Sequence, residues 1–220
     1  MIQPRILTTE DGSQTLESPI SGDTYHSLRG AVGESMHIYI REGFSSLPLS
    51  HIRILEIGFG SGLNAWLTAR AATEQNRTVY YETIERYPID LQTASQLEYA
   101  QDPLFVELHR ASWNCPVTIN DRFVLKKREL SLEDCRFDTT FDLIYFDAFA
   151  PDTQPELWTA TIFRRLYEAL SDGGVLVTYS AKGSVKEHLR SAGFTVKRRP
   201  GALGKHHMVR ATKNSKPTNE

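Results

Sequence analysis

The sequence predicts an α/β fold with a mostly parallel, doubly wound sheet, and three observations predict it. The stretch Ile54-Leu55-Glu56-Ile57-Gly58-Phe59-Gly60-Ser61-Gly62-Leu63-Asn64 is an apolar run that ends in an acid and a Gly-x-Gly-x-Gly turn, then opens an alanine-rich helical segment. From Ile52 onward, β-branched and aromatic runs alternate with helical patterns. A chain of 220 residues is long enough for one substantial core and short for two. The expected organisation is an N-terminal β/α elaboration over residues 1–49, a core domain over 50–212 and a polar tail over 213–220.

In chain order, Asp11-Gly12 is a turn signal between β-like pieces near residues 5–9 and 14–16, so a small hairpin is expected. Residues 34–40 read as a helix ending at Gly43. The polar cluster His26, Ser27, Glu34, Ser35 and His37 precedes the first core strand and is placed to line a site, although a histidine beside a helix is more often structural. Gly58, Gly60 and Gly62 permit a tight turn and let a ligand approach bare backbone. Their spacing departs from the G-x-G-x-x-G of pyrophosphate binders, and Glu56 places negative charge where a cation would be welcome and a pyrophosphate repelled.

Residues 78–84 form the next strand, with Glu85 at its carboxyl end. There an acid accepts hydrogen bonds from ribose hydroxyls; Glu82, within the strand, is the competitor. A helix is expected from Pro88 to about Tyr99, and Asp102-Pro103 opens a shorter one. The third strand covers residues 123–126, and Glu129 stands at its tip, where an acid can meet an adenine amino group; Asp134 is a second candidate. The run Phe141-Asp142-Leu143-Ile144-Tyr145-Phe146 is a buried strand beside the first one and delivers Asp147 to the ligand crevice. Asp147 can hold an incoming amine and receive its proton, or merely cap the helix expected over residues 155–170. Pro151 and Pro155 stiffen the loop between them. Residues 171–174 turn into a fifth strand at 175–179, an amphipathic helix over 184–192 is closed by Gly193, and residues 194–197 and 207–211 form a terminal antiparallel pair.

A 40% hydrophobic and 24% charged composition is that of an ordinary globular protein, and the net charge of −2 says little. Its distribution says more: Lys182, Lys186, Arg190, Lys197, Arg198, Arg199, Lys205, Arg210, Lys213 and Lys216 crowd the last part of the chain, as a footprint for a polyanion or as a solvated basic face. Cys115 and Cys135 suggest neither a disulfide framework nor a zinc site, and no metal is expected. With no apolar signal core and no stretch of membrane-spanning length, a cytoplasmic protein is expected.

The E-x-G-x-G-x-G loop resembles motif I of the class I S-adenosylmethionine-dependent methyltransferases. The D-A-F-A-P…P-E-L-W stretch, E-I-G-F-G-S-G-L-N, Y-H-S…G-A…E-S-x-H, T-Y-S-A-K-G-x-V, the later A-G-F and G-x-x-G-K together resemble the tRNA 5-methylaminomethyl-2-thiouridine methyltransferase family, of the stand-alone MnmD type, over about residues 8–211. The resemblance implies a Rossmann-like methyltransferase fold with a terminal antiparallel strand. It implies S-adenosylmethionine held by Glu56, Gly58, Phe59, Gly60, Gly62, Asn64, Glu85 and Glu129, with Tyr25 and Glu34 beside it. Asp147 would be catalytic, and Phe149, Pro151, Ser180, Lys182 and Lys205 would face the substrate. The implied reaction methylates 5-aminomethyl(-2-thio)uridine at the tRNA wobble position, with the anticodon loop as partner. Fused relatives add a flavin-dependent oxidase domain that makes the amine; this chain has no room for one, so a separate enzyme would supply the precursor. Two departures stand out: Gly204-Lys205-His206-His207-Met208 where relatives continue G-K-R-E-M, and Glu129 where relatives tend to show Asp. Rival readings are a spermidine-synthase-like aminopropyltransferase, a small-molecule N-methyltransferase and a non-catalytic RNA-binding module.

Overall fold

The structure, a computed structural model, describes residues 4–204 and 207–215. A hairpin of β1 (Arg5–Thr8) and β2 (Gln14–Glu17) leads into α1 (Ala31–Ser35), which continues as a π-helical turn over Met36–Arg41. The core then runs β3 (His51–Ile57), α2 (Leu63–Glu74), β4 (Thr78–Glu85), α3 (Leu91–Ala94), α4 (Pro103–Arg110), β5 (Pro116–Asn120), β6 (Phe123–Glu129) and β7 (Phe141–Phe146). It closes with α5 (Ala160–Ala169), β8 (Leu170–Thr178), α6 (Gly183–Ser191), β9 (Thr195–Pro200) and β10 (His207–Thr212).

Strands β3 to β10 make one sheet in the order β5-β6-β4-β3-β7-β8-β10-β9. The inner pairings β6-β4, β4-β3, β3-β7 and β7-β8 are parallel, and the flanking β5, β10 and β9 are antiparallel to their neighbours. The chain leaves β3 toward β4 and β6, then returns to β7 on the other side. The order therefore reverses beside β3, and a ligand crevice opens at the carboxyl ends of β3 and β7. Both faces of the sheet are covered. Along β3, Ile54 joins Leu63, Tyr81 and Phe105 on one face, while Leu55 and Ile57 join Phe146, Phe163 and Leu189 on the other. A strand buried on both faces reads as a nearly continuous apolar run, as β3 and β7 do. The N-terminal region adds Leu16, Ile38, Tyr39 and Phe44 to the first of these clusters.

Several boundaries differ from expectation. The helix expected from Pro88 to Tyr99 is only α3: the Asp90 side chain caps it by accepting from the Thr93 N–H at 2.7 Å, and the chain is extended again at Leu97. Beyond Leu97 only a 3-10 turn over Glu98–Gln101 forms, and tertiary bonds pin it to the N-terminal hairpin. The Glu98 N–H donates to Gln14 Oε1 at 2.8 Å, and the Tyr99 hydroxyl donates to the Gln14 carbonyl. The helix expected over 155–170 divides into a 3-10 turn at Pro155–Trp158 and α5, with Thr159 as its cap. The expected turn at Ser171-Gly174 is part of β8; Gly173 donates to the Lys213 carbonyl and Lys213 donates back to Gly174, both at 2.9 Å. Edge strand β5 had no signal of its own. The Lys205, His206 and Lys216 features of the sequence lie outside the described residues, as does the tail beyond Ser215. Among the described residues, no helix is long and apolar enough to cross a membrane.

Candidate active site

A cavity of about 1090 Å³ opens at the carboxyl ends of the central strands. That exceeds the roughly 300–1,000 Å³ of a typical small-molecule site, so it has room for two reacting partners. Its floor is the loop after β3. Gly58 has φ +91, and a Cβ there would stand 2.7 Å from the Asp147 carbonyl oxygen, so only glycine lets this loop lie against the end of β7. The Asp147 N–H completes the seam by donating to the Ile57 carbonyl at 3.0 Å.

Glu85 is bound into the same loop. Its Oε2 accepts from the Gly60 N–H at 3.0 Å and its Oε1 from the Tyr87 N–H at 2.9 Å. Burial raises its pKa against the opposing pull of those backbone bonds. Glu85 lines the cavity and Glu82 does not: Glu82 is buried in ion pairs with Lys126 at 3.3 Å and Arg128 at 3.2 Å. Glu129 lines the cavity as well, whereas Asp134 lies outside it and accepts from the Ser131 hydroxyl.

Asp147 stands across from Glu85. Its Oδ1 accepts from the Tyr39 hydroxyl at 2.6 Å and its Oδ2 from Asn64 Nδ2 at 2.7 Å. Tyr25, Glu34, Phe59 and Phe149 also line the space. The Tyr25 ring meets Phe149 edge-on at 5.2 Å, and burial, with Glu85 adding, pushes its phenol up to about 12. Phe59 is backed by His109, Trp113 and the Lys127 ammonium, which burial lowers to about 8. Glu34 Oε2 accepts from the Ser27 N–H at 3.2 Å.

Other expected site residues lie elsewhere. Glu56 is fully buried and does not reach the cavity; it accepts from the Thr83 hydroxyl at 2.8 Å. Burial first, and then Asp147, raises its pKa well above the usual carboxyl range. The carboxyl expected beside the ligand at Glu56 thus lies off the lining, and burial without a cationic partner disfavours its charged form. Gly62 and Asn64 open α2 behind the loop, and Pro151 and Ser180 also lie off the lining, where Tyr179, next to Ser180, takes a place instead. Lys182 is on the outer surface, paired with exposed Asp152. Within the basic C-terminal set, Arg199 pairs with Glu42 at 3.0 Å and Arg210 bonds the Glu42 carbonyl, while Lys197 and Arg198 are exposed.

Negative charge reaches the cavity by other residues. Among its described lining, Asp23, Glu34, Glu85, Asp90, Glu129, Glu133, Asp147 and Glu156 face a single arginine, Arg86. His26 is there too, and burial lowers it to about 4, so it adds no charge near neutrality. Such a lining attracts ammonium or sulfonium groups and repels phosphate. Among the described residues, no group of three or more His, Cys, Asp or Glu side chains could hold a metal ion. Tyr39 had no sequence signal as a site member, since it sits in an apolar run that reads as core; Tyr179 was marked only by its place in the T-Y-S-A-K-G-x-V motif.

Residues 75–214 match a family described as S-adenosyl-L-methionine-dependent methyltransferase. The tRNA 5-methylaminomethyl-2-thiouridine biosynthesis bifunctional protein MnmC of Azoarcus sp. (strain BH72) is 32% identical, across 95% of this chain and 35% of its own length. The protein of the same name from Cupriavidus necator is 32% identical across 89% and 32%. The chain thus spans about a third of the length of these curated relatives. In three dimensions, MNMC2 from Aquifex aeolicus superimposes with a TM-score of 0.80 at 25% identity, over 98% of this chain and 72% of that one. Spermidine synthase from Thermotoga maritima shares the fold, with a TM-score of 0.61 at 15% identity over 99% and 72%.

Proposed function

The chain belongs to the S-adenosyl-L-methionine-dependent methyltransferase family, and on that premise we propose that it methylates the primary amine of 5-aminomethyl(-2-thio)uridine at the wobble position of tRNA, giving 5-methylaminomethyl(-2-thio)uridine. The observation that carries this reading is a firmly held carboxylate, Asp147, in an acid-lined cavity large enough for a donor and a nucleoside together. The names of the MnmC relatives and of the Aquifex structure supply the substrate class.

The residues present fit the donor. Bare backbone at Gly58 and Gly60 and the carboxylate of Glu85 suit an adenosyl group, and the surplus of acids suits its ammonium and sulfonium. When bound, S-adenosylmethionine supplies an already activated methyl group. The protein then has to present an amine as a nucleophile. An alkyl amine is mostly protonated at neutral pH, so a proton must leave before the nitrogen lone pair can attack. Asp147 accepts that N–H, takes the proton and fixes the direction of the nitrogen; such positioning is worth roughly 7–11 kcal/mol in favourable systems. Tyr25 and Phe149 offer aromatic surface to an unstacked base. Lys182, Lys186, Arg198 and Arg199 meet backbone phosphates outside the acidic cavity, with Lys205 as the expected fifth. A tRNA substrate fits a reaction in the cytoplasm, and an earlier reaction must supply the aminomethyl nucleoside.

Wobble nucleosides of tRNA from cells lacking this gene test the reading. Mass analysis finds accumulated 5-aminomethyl(-2-thio)uridine if it holds, and an unchanged profile overturns it. The acid-rich cavity also favours a second reading, transfer of an aminopropyl group to a diamine, on the spermidine synthase fold. Product formed from a decarboxylated donor and a diamine, with none from S-adenosylmethionine and tRNA, selects that alternative.

A further inference from the structure

We propose that Tyr39 and Asn64 are positioning residues that clamp the Asp147 carboxylate, one donor on each oxygen, so that it meets the acceptor amine in a single orientation. The inference rests on the reading of Asp147 as the group that receives the amine.

The two donors come from separate elements. Tyr39 lies in the π-helical turn over Met36–Arg41, and Asn64 is in the first turn of α2. Both are almost completely buried, at 1% and 3% exposure, and their bonds to Oδ1 and Oδ2 are short, at 2.6 and 2.7 Å. Neither is on the cavity lining, so each reaches the chemistry through Asp147. A π turn is a rare local form, frequent at functional sites. Here it carries Tyr39 to a carboxylate that the sequence places far away.

Each donor is itself held. The Tyr39 ring packs against Tyr145 at 5.1 Å, and Tyr145 belongs to β7, the strand that ends one residue before Asp147. Burial and the neighbouring Asp147 keep the Tyr39 phenol protonated, and therefore a donor. Behind Asn64, its own Oδ1 and Glu56 Oε1 are both buried without a hydrogen-bond partner. A carboxylate fixed at both oxygens cannot rotate away as the amine arrives, and misplacement of such a group by about 1 Å can cost on the order of a hundredfold in rate.

Tyr39→Phe and Asn64→Ala test the clamp, with Asp147→Asn as reference and melting temperature as the check on folding. With tRNA bearing the aminomethyl nucleoside, each variant lowers kcat roughly tenfold to a hundredfold, the scale of losing an orienting hydrogen bond. KM for tRNA and the cofactor Kd, measured by calorimetry, stay within about twofold, on the view that positioning acts on the transition state. If either variant unfolds, the other carries the test. Wild-type kcat in the folded variants, with Asp147→Asn inactive, overturns the clamp and leaves the role of Asp147 intact. A loss confined to cofactor affinity also overturns it. Wild-type turnover in Asp147→Asn overturns the underlying reading, and the clamp with it.

Discussion

At Glu56 a carboxyl group lies inside the fold, where its hydrogen bond to Thr83 and a pKa raised by burial suit it to support of the interior rather than to a ligand. Replacement with the isosteric amide separates these roles: Glu56→Gln binds S-adenosylmethionine within about twofold of wild type in calorimetry, whereas a counter-ion to the donor would lose tenfold or more, the usual scale of a broken charge pair. Asp147→Ala abolishes methyl transfer and retains cofactor binding; near-wild-type turnover removes Asp147 from the chemistry. His109 provides a pH test. Its Nε2 meets the Ser61 carbonyl at 3.1 Å behind the glycine loop, and burial lowers its pKa from 6.5 to about 4. As pH falls, the unfolded chain takes up this proton first, so stability is full above about 6.5 and is progressively lost toward 4. Melting temperatures between pH 7 and pH 5 should fall less steeply in His109→Gln than in wild type; parallel curves contradict the assignment. At this scale the acids Glu85, Glu129 and Asp147 were legible because strand ends can be read from an apolar run and its terminator. Tyr39 was not, because its partner is 108 residues away and the intervening turn has no sequence signature.

Among the elements, the glycine loop and the end of β7 form one unit, joined where Gly58 meets the Asp147 carbonyl. Gly58→Ala must accommodate both a positive φ and a Cβ at 2.7 Å from that oxygen, so the loop has to move. The conformational part alone is worth ~1–3 kcal/mol. Thermal unfolding should show the variant destabilised on that scale and calorimetry a cofactor affinity reduced at least tenfold; an unchanged Tm and Kd would contradict the close approach. The loop, its flanking strand and α2 were legible in the spacing of glycines and apolar residues. The course of residues 88–101 was not: the sequence is compatible with one continuous helix, whereas the chain is extended at Leu97 and resumes as a 3-10 turn over Glu98–Gln101 that bonds Gln14 of the N-terminal hairpin. Edge strand β5 escaped for a related reason, since half-exposed Pro116–Asn120 carries too few apolar residues to announce a partner.

Across the whole molecule, charge is sorted: acids line the cavity, and exposed Lys197 and Arg198 belong to an edge strand. A polyanion with one cationic group, such as a tRNA carrying an aminomethyl base, matches that division, with phosphates kept outside and the amine drawn in. Binding of tRNA should fall steeply with rising salt while cofactor binding changes little; a salt-insensitive tRNA complex would contradict phosphate contacts. The parallel core and the reversal beside β3 were legible from strand and helix alternation, but the acid lining was not, because loops distant in sequence contribute it. The most direct test is to incubate the purified chain with S-adenosylmethionine and tRNA bearing 5-aminomethyl-2-thiouridine, then digest the tRNA and weigh its nucleosides. The expected result is the gain of one methyl group on the wobble nucleoside nitrogen. Full cofactor binding with no gain there, or methyl transfer to another nucleoside, would contradict it.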